Sequence, residues 1–483
     1  MSAATLEAPS LPAATVLSIW VRHLRSLVFP GGALLFILTG PHPWYVAPLF
    51  IIPSVLTMVA DRSGRVELRQ PVDSLPAWPF DALVYLLTAM QFAIVFSLAH
   101  MFTQQSIFSL DMLMVVVVVG GNSGFSIITA HELIHRKSKL DQMLGRGLLC
   151  TVLYEHFYTE HLRGHHVLVG TPEDPATARF GETYEEFWRR TVPAQWRSAW
   201  RLEKRRLGDA EMSLFDARML KNRMIHGLVV EWGLVAIVYM IFGLTGMVAY
   251  LVQALMAVRL LEAVNYFEHW GLMRKKKRVR PVDSWDTHSF FTYYGLTGLS
   301  RHADHHAWPS RPYQQLRVWD EAPILPTGYV GTVDMVMGRN DEFRAAATEE
   351  LERRNLGPFE DVTDPEERTR LVEQGRGEAR DEGRGPIAEL AELWRRMPEK
   401  LRPVFFFAAL LIALTFGAHV EAGGDMAFVA RLALHTWILA VFASVFLLRP
   451  QVLRVVRNEW ASWVLVLAGF VAVGHLTNQI LGI

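Results

Sequence analysis

Nine histidines in four short stretches carry the densest chemistry in this chain. The first stretch, His131-Glu132-Leu133-Ile134-His135, sets two imidazoles four residues apart, which on a helix places them on one face. Glu160-His161-Leu162-Arg163-Gly164-His165-His166 repeats that step and adds an adjacent imidazole. Asn265-Tyr266-Phe267-Glu268-His269 supplies one more, and Arg301-His302-Ala303-Asp304-His305-His306 puts three at i, i+3 and i+4. Imidazole is the commonest metal ligand. A structural zinc takes four ligands and a catalytic zinc three, so nine imidazoles overfill one zinc site. Two ions with four or five imidazoles each fit the count. Zinc, copper, iron and nickel all suit imidazole, so ligand type leaves the metal open.

A carboxylate stands beside a histidine in every stretch: Glu132, Glu160, Glu268 and Asp304. Ligating histidines usually pass their other N–H to such a group, so these acids are expected in supporting positions around the ligands. Arg259, Glu262 and Asn265 lie at helical spacing leading to His269, and charged residues at membrane depth mark functional sites. An Arg259–Glu262 pair that satisfies itself is the plainer alternative. His131-Glu132-x-x-His135 is also the zinc-protease signature, with Glu132 as general base, but that reading leaves seven clustered histidines unexplained.

The elements that must position these groups are membrane spans. Apolar residues make up 51% of the 483-residue chain and bunch into stretches near 26–41, 43–60, 80–99, 108–130, 225–243 and 246–266. Each is about as long as a helix crossing a hydrocarbon core of about 30 Å. Three more spans fall near 403–420, 428–448 and 461–481. The fold class expected is all-α: a six-helix membrane core with a histidine-rich di-metal site, followed by three further helices. Residues 1–360 form the expected core domain, 361–402 a charged linker with a short helix over 387–396, and 403–483 the C-terminal membrane segment.

Basic and acidic residues balance at 48 each, which offers no global field for nucleic acid. Their placement is uneven. The short loops near 41–43, 100–107 and 243–246 hold no Lys or Arg, whereas Arg22, Arg25, Arg62, Arg65 and the run Arg274, Lys275, Lys276, Lys277, Arg278 lie on the other side. The positive-inside rule then predicts a cytoplasmic N-terminus, a cytoplasmic histidine face and an outside C-terminus. The 274–278 run is a candidate docking site for an acidic electron carrier, with anionic headgroups as the other candidate partner. Cys150, the single cysteine, excludes a four-cysteine iron site within this chain, so electrons must come from a partner.

The four stretches, in this order around six spans, resemble those of the integral-membrane alkane monooxygenases, within the wider membrane desaturase and hydroxylase class. The likeness runs from about residue 40 to 345. It includes Thr171-Pro172-Glu173-Asp174-Pro175, the Asn265-Tyr266-x-Glu268-His269-x-Gly271 pattern, and Arg301 through Leu316 with Arg311, Tyr313 and Gln314. The resemblance implies two iron ions, O2 as co-substrate, hydroxylation of a terminal methyl, a separate rubredoxin or ferredoxin as reductant, and a supporting role for Asp174. Arg136, Trp270, Asp286 and Ser300 depart from the family's commoner Lys, Tyr, Asn and Gln. Desaturation of a fatty acyl chain and hydroxylation of a ring-borne methyl stay open as alternatives.

Overall fold

The computed structural model describes residues 13–43, 46–72 and 75–377. Among them there is no strand, only two isolated bridges, Val66 with Ser289 and Asp286 with Ile324. Four helices are long and apolar enough to cross a membrane: α1 (Ala14–Thr39), α3 (Trp78–Gln104), α4 (Leu110–His135) and α8 (Arg223–His269). A shorter apolar helix, α2 (Ala47–Asp61), lies between the first two.

Helix α8 is two spans. Its 47 residues would extend about 70 Å if straight, over twice the hydrocarbon core. Gly243 breaks it at φ 71°, a left-handed conformation that glycine adopts without steric penalty. The halves then fold back on each other. Glu231 Oε1 accepts from Glu155 N at 2.7 Å while Gln253 Nε2 donates to Thr151 O at 2.9 Å. In a straight helix residues 231 and 253 would be about 33 Å apart, too far to reach a backbone N–H and a carbonyl four residues apart in one loop. The turn falls where the uncharged loop near 243–246 was expected, so α8 supplies both spans expected over 225–266, whereas α2 falls short of the membrane-crossing length expected over 43–60.

Leu35, Leu38, Val59, Val229, Trp232, Met240 and Ile241 are all exposed on these helices. So large an apolar surface is stable against lipid, not water. The polar segments build a cap over one end of the bundle from α5 (Lys139–Cys150), α6 (157–168), α7 (Tyr184–Arg206), α9 (Phe290–Gly295), α10 (His302–Ala307), α11 (Tyr329–Gly338) and α12 (Asn340–Arg354). Local sequence starts several of them. Thr183 and Glu186 form a reciprocal capping box for α7, and Asn222 caps α8 through Met224 N and Ile225 N. The cap packs around fully buried Trp270 and Trp285. Their indole N–H groups donate to Glu182 O at 3.0 Å and Trp270 O at 2.9 Å, which removes the cost of burying them.

Where a linker was expected from residue 361, α13 (Pro365–Arg376) is helical and lays Leu371 and Val372 against the core. Asp364 caps it and Arg368 ties it to Asn355 at 2.9 Å, so charge density there marks a packed surface helix. The remaining linker, its 387–396 helix and the three C-terminal spans lie outside the described residues.

Candidate metal centre

The four stretches converge. His131 and His135 occupy the last turn of α4, His269 ends α8, and α6 and α10 bring the rest over that end of the bundle. Among the described residues, ligand atoms of His131, His135, His161, His166 and His305 lie within 4.8 Å of one another, and so do those of His165, His269 and His306. His302 joins the second group through His269, Nε2 to Nε2 at 3.2 Å. The result is five imidazoles beside four.

The pairing follows helix geometry with one exception. His131 and His135, and His302 and His306, each share a group as the four-residue step predicts. His161 and His165 do not. Residues His161–His165 are wound as a π-helix, whose i→i+5 bonding aligns His161 with His166 and turns His165 toward the other group.

The nitrogens are spaced as ligands of a shared ion. His135, His161, His166 and His305 face one another in series through Nε2 at 3.1, 3.0 and 3.2 Å. A neutral imidazole has one N–H, so hydrogen bonds can satisfy at most two of these three contacts. Ligands about 2.1 Å from a metal at angles near 90 to 110° sit about 3.0 to 3.4 Å apart, which matches all three. Nε2 of His131, His165 and His306 are buried without a hydrogen-bond partner, as atoms aimed at a cation would be.

Burial, reinforced by neighbouring imidazoles, holds His161, His166, His302, His305 and His306 well below their ordinary value of 6.5. They are neutral at pH 7, the form that binds metal. The unfolded chain takes up protons that the folded site refuses, so stability is full above about pH 6.5 and is lost as pH falls below it. Thermal unfolding of metal-free protein is expected at lower temperature at about pH 5.5 than at about pH 7.5. An unchanged midpoint would contradict the burial of these rings.

The carboxylates divide. Asp174 Oδ2 accepts from His165 Nδ1 at 2.8 Å and from Thr177 Oγ1 at 2.6 Å, fixing the tautomer that leaves Nε2 free. Glu268 faces the inner side instead: its Oε2 is 3.3 Å from His302 Nε2, and Tyr329 OH donates to Oε1 at 2.7 Å. Glu132 is turned to Arg136, with Oε1 at 3.2 Å. That removes it from the general-base position a zinc protease needs. Asp304 accepts from Arg311 Nη1 at 2.5 Å and Trp319 Nε1 at 2.8 Å, so it anchors the loop after α10 and pairs with no histidine among the described residues. Glu160 is fully buried, and burial raises its carboxyl well above the usual range. Glu262 accepts from Tyr154 OH at 2.8 Å and from Asn265 Nδ2 at 3.2 Å. Arg259 pairs with Glu185, not Glu262.

Several supporting residues carry no local signal in the sequence. Tyr329 lies 61 residues from Glu268, and Gln195 67 from Glu262. Asp286 Oδ1 accepts from Ala303 N at 2.7 Å, capping α10 from another segment, and burial pushes its carboxyl up to about 8. The basic loop is partly engaged: Arg274 Nη2 donates to Val167 O at 2.7 Å and Lys275 Nζ to Asp361 Oδ2 at 2.8 Å. Lys276, Lys277 and Arg278 are exposed.

Fold and site together define an all-helical membrane protein with a histidine-rich cluster fit for metal, and residues 109–332 match the fatty acid desaturase family model. Alkane 1-monooxygenase 1 of Pseudomonas aeruginosa is 42% identical over 217 residues, spanning 44% of this chain and 56% of that protein. Alkane 1-monooxygenase of Acinetobacter baylyi is 34% identical over 307 residues, 61% of this chain and 72% of the relative. The chain belongs to the alkane 1-monooxygenase family. It is also 24% identical over 204 residues, 42% of its own length and 54% of the relative's, to the xylene/toluene monooxygenase hydroxylase component of Pseudomonas putida.

Proposed function

We propose that the chain is a membrane non-haem di-iron monooxygenase that hydroxylates the terminal methyl of an alkane or similar hydrocarbon, with O2 as co-substrate and electrons from a separate rubredoxin or ferredoxin. The division of nine imidazoles into five and four carries this reading. His131, His135, His161, His166 and His305 would hold one ion, and His165, His269, His302 and His306 the other, with Glu268 facing the second. Iron when bound would supply the activation of dioxygen and the oxidation of the C–H bond. Zinc has no redox chemistry, and the relatives' names are those of oxidations.

The chain's own residues do the rest. Asp174 holds His165 in its ligating tautomer, and the buried rings around the histidines exclude water. A cavity of about 500 Å³ among α1, α2, α4, α8 and α11, lined by Phe50, Val117, Met256, Leu260 and Val333, suits an unbranched hydrocarbon arriving from the bilayer. An apolar wall discriminates by only about 1 to 3 kcal/mol per methylene, so chain-length selectivity would be broad. The distribution of Lys and Arg favours a cytoplasmic metal face. There Lys276, Lys277 and Arg278, with Arg274 and Lys275 bracing the loop, would draw an acidic electron carrier. Similarity to the xylene/toluene component favours a ring-borne methyl as the second reading.

Iron quantification with product identification from a mixed hydrocarbon panel under O2 and a reduced carrier tests this. Two irons per chain and a primary alcohol are expected. One zinc per chain with hydrolytic activity, or an alkene from an acyl substrate, would exclude it.

A further inference from the structure

Polar side chains gather where the hydrocarbon cavity approaches the histidines. A niche of about 20 Å³ is lined by Ser26, Gln91, Asn122, Ser126, Thr129 and Thr297. That volume admits about one water-sized group. It shares Phe29, Asn122 and Phe125 with the 500 Å³ cavity, so the two spaces adjoin across these residues, the Phe29 and Phe125 ring centroids lying 4.2 Å apart. Along α4 the cavity is lined at Val117 and Gly121, the niche at Asn122, Ser126 and Thr129, and His131 follows. Along that helix the niche lies nearer His131 than Val117 and Gly121 do, while the cavity also reaches Val330, Val333 and Met337 of α11 in the cap.

An alkane needs no polar contact, and burying unpartnered polar groups beside one is costly. Part of the niche is satisfied internally. Gln91 is engaged at both ends, accepting from Asn122 Nδ2 at 2.9 Å and donating to Ser123 Oγ at 3.0 Å, while Ser126 donates to Ser123 O at 2.7 Å. Ser26 donates to His23 O at 2.8 Å. Thr297 is different: its hydroxyl is buried with no hydrogen-bond partner among the described residues, and its backbone is left-handed at φ 44°. A β-branched residue in that conformation costs about 1 to 2 kcal/mol and is out of place unless its side chain serves something.

We propose that the niche is a hydroxyl subsite, in which Thr297, with Asn122 and Thr129 beside it, hydrogen-bonds the oxygen of a primary alkanol whose chain lies in the apolar cavity. This rests on the proposed hydroxylation only in making that alkanol the product. The bare hydroxyl of Thr297 can both donate to and accept from an alcohol group, and the Asn122 carboxamide lines the same niche. The subsite holds the new oxygen away from the hydrocarbon wall and makes alcohol departure, not alkane entry, sensitive to Thr297.

Binding without turnover tests it. The iron-loaded full chain in lipid nanodiscs, with no reductant, is equilibrated with labelled 1-decanol or decane, and binding is corrected for partition into protein-free nanodiscs. The chain is expected to prefer 1-decanol by about tenfold, the scale of one hydrogen bond in an apolar site. Thr297→Val, of the same shape, should remove that preference and leave decane affinity unchanged, while Thr297→Ser should keep it. Unaltered decane binding certifies that the variant is folded. Decane binding with no preference for the alcohol, or equal weakening of both ligands in Thr297→Val, would overturn the subsite alone. Failure of the wild-type chain to bind either ligand would overturn the subsite and the hydrocarbon reading together.

Discussion

Replacing His305 by alanine is expected to lower bound iron from two per chain to one or fewer and to reduce hydroxylation at least about 100-fold. Supporting partners of metal ligands alone are typically worth 10- to 100-fold, and on the proposed reading His305 would itself be a ligand. Its Nε2 lies 3.2 Å from that of His166, and its ring centroid 4.4 Å from that of His131 and 4.6 Å from that of His135. It joins the last turn of α4 to α6. Removing it opens one coordination position and leaves a cavity between three segments. The outcome separates the competing chemistries. A zinc held by His131 and His135 with a third protein ligand from elsewhere would survive the change, and hydrolysis with it. Metal analysis of the purified variant, with circular dichroism to establish retained helix, reads the result. Two irons and undiminished product formation would remove His305 from the centre.

That nine imidazoles meet was legible because their spacing and the topology of the spans both point to one membrane face. Their division was not. An α-helical reading of His161 and His165 puts both on one ion, and nothing in Glu160-His161-Leu162-Arg163-Gly164-His165-His166 announces the π-wound turn that separates them. Gly164 is the one local hint: a β-carbon there would press on Glu160 Oε1, so the wide turn needs a residue without a side chain. The roles of the acids were legible only in part. Asp174 supports His165 as the family pattern implies, and Glu132 answers to Arg136 at the i,i+4 helical spacing, but Asp304 answers to Arg311, whose position in space no spacing rule gives.

The spans were read from length and apolarity, and those quantities place α3, α4 and both halves of α8 to within a few residues. They misplaced the start of α1, which begins at Ala14 and not near residue 26, because Arg22 and Arg25 interrupt the apolar count. Those arginines find partners in the cap: Arg22 donates to Tyr294 OH at 3.5 Å and Arg25 lies over the Phe290 ring. Tertiary contacts thus extend a helix whose local hydropathy would end it.

The same blindness to distant partners hides Asp61, whose replacement by alanine is expected to destabilise the chain by about 3 to 5 kcal/mol. Asp61 ends α2, where sequence alone reads an acid at the membrane boundary. It is buried, and its Oδ1 accepts from Ser289 Oγ and Thr292 Oγ1, each at 2.6 Å, while Oδ2 accepts from Gly331 N at 3.0 Å. Hydrogen bonds to a charged group contribute about 1.5 to 3 kcal/mol each, and deleting the acceptor strands three donors at once. The fit allows no substitute from nearby, since a β-carbon at Gly328 would overlap the Asp61 carboxylate. The loss should travel to the centre. Thr292 Oγ1 also accepts from Tyr329 N at 2.9 Å, Tyr329 OH holds Glu268 at 2.7 Å, and Glu268 faces His302. Asp61→Asn keeps an oxygen for the two hydroxyls but turns an amide N–H₂ toward Gly331 N, so its penalty should fall between those of wild type and alanine. Denaturant unfolding in mild detergent, paired with iron content, measures both effects. A change below about 1 kcal/mol in Asp61→Ala, with full iron retained, would mean that α2 and the segments bearing Tyr329 and Thr292 are held to the bundle by apolar packing alone.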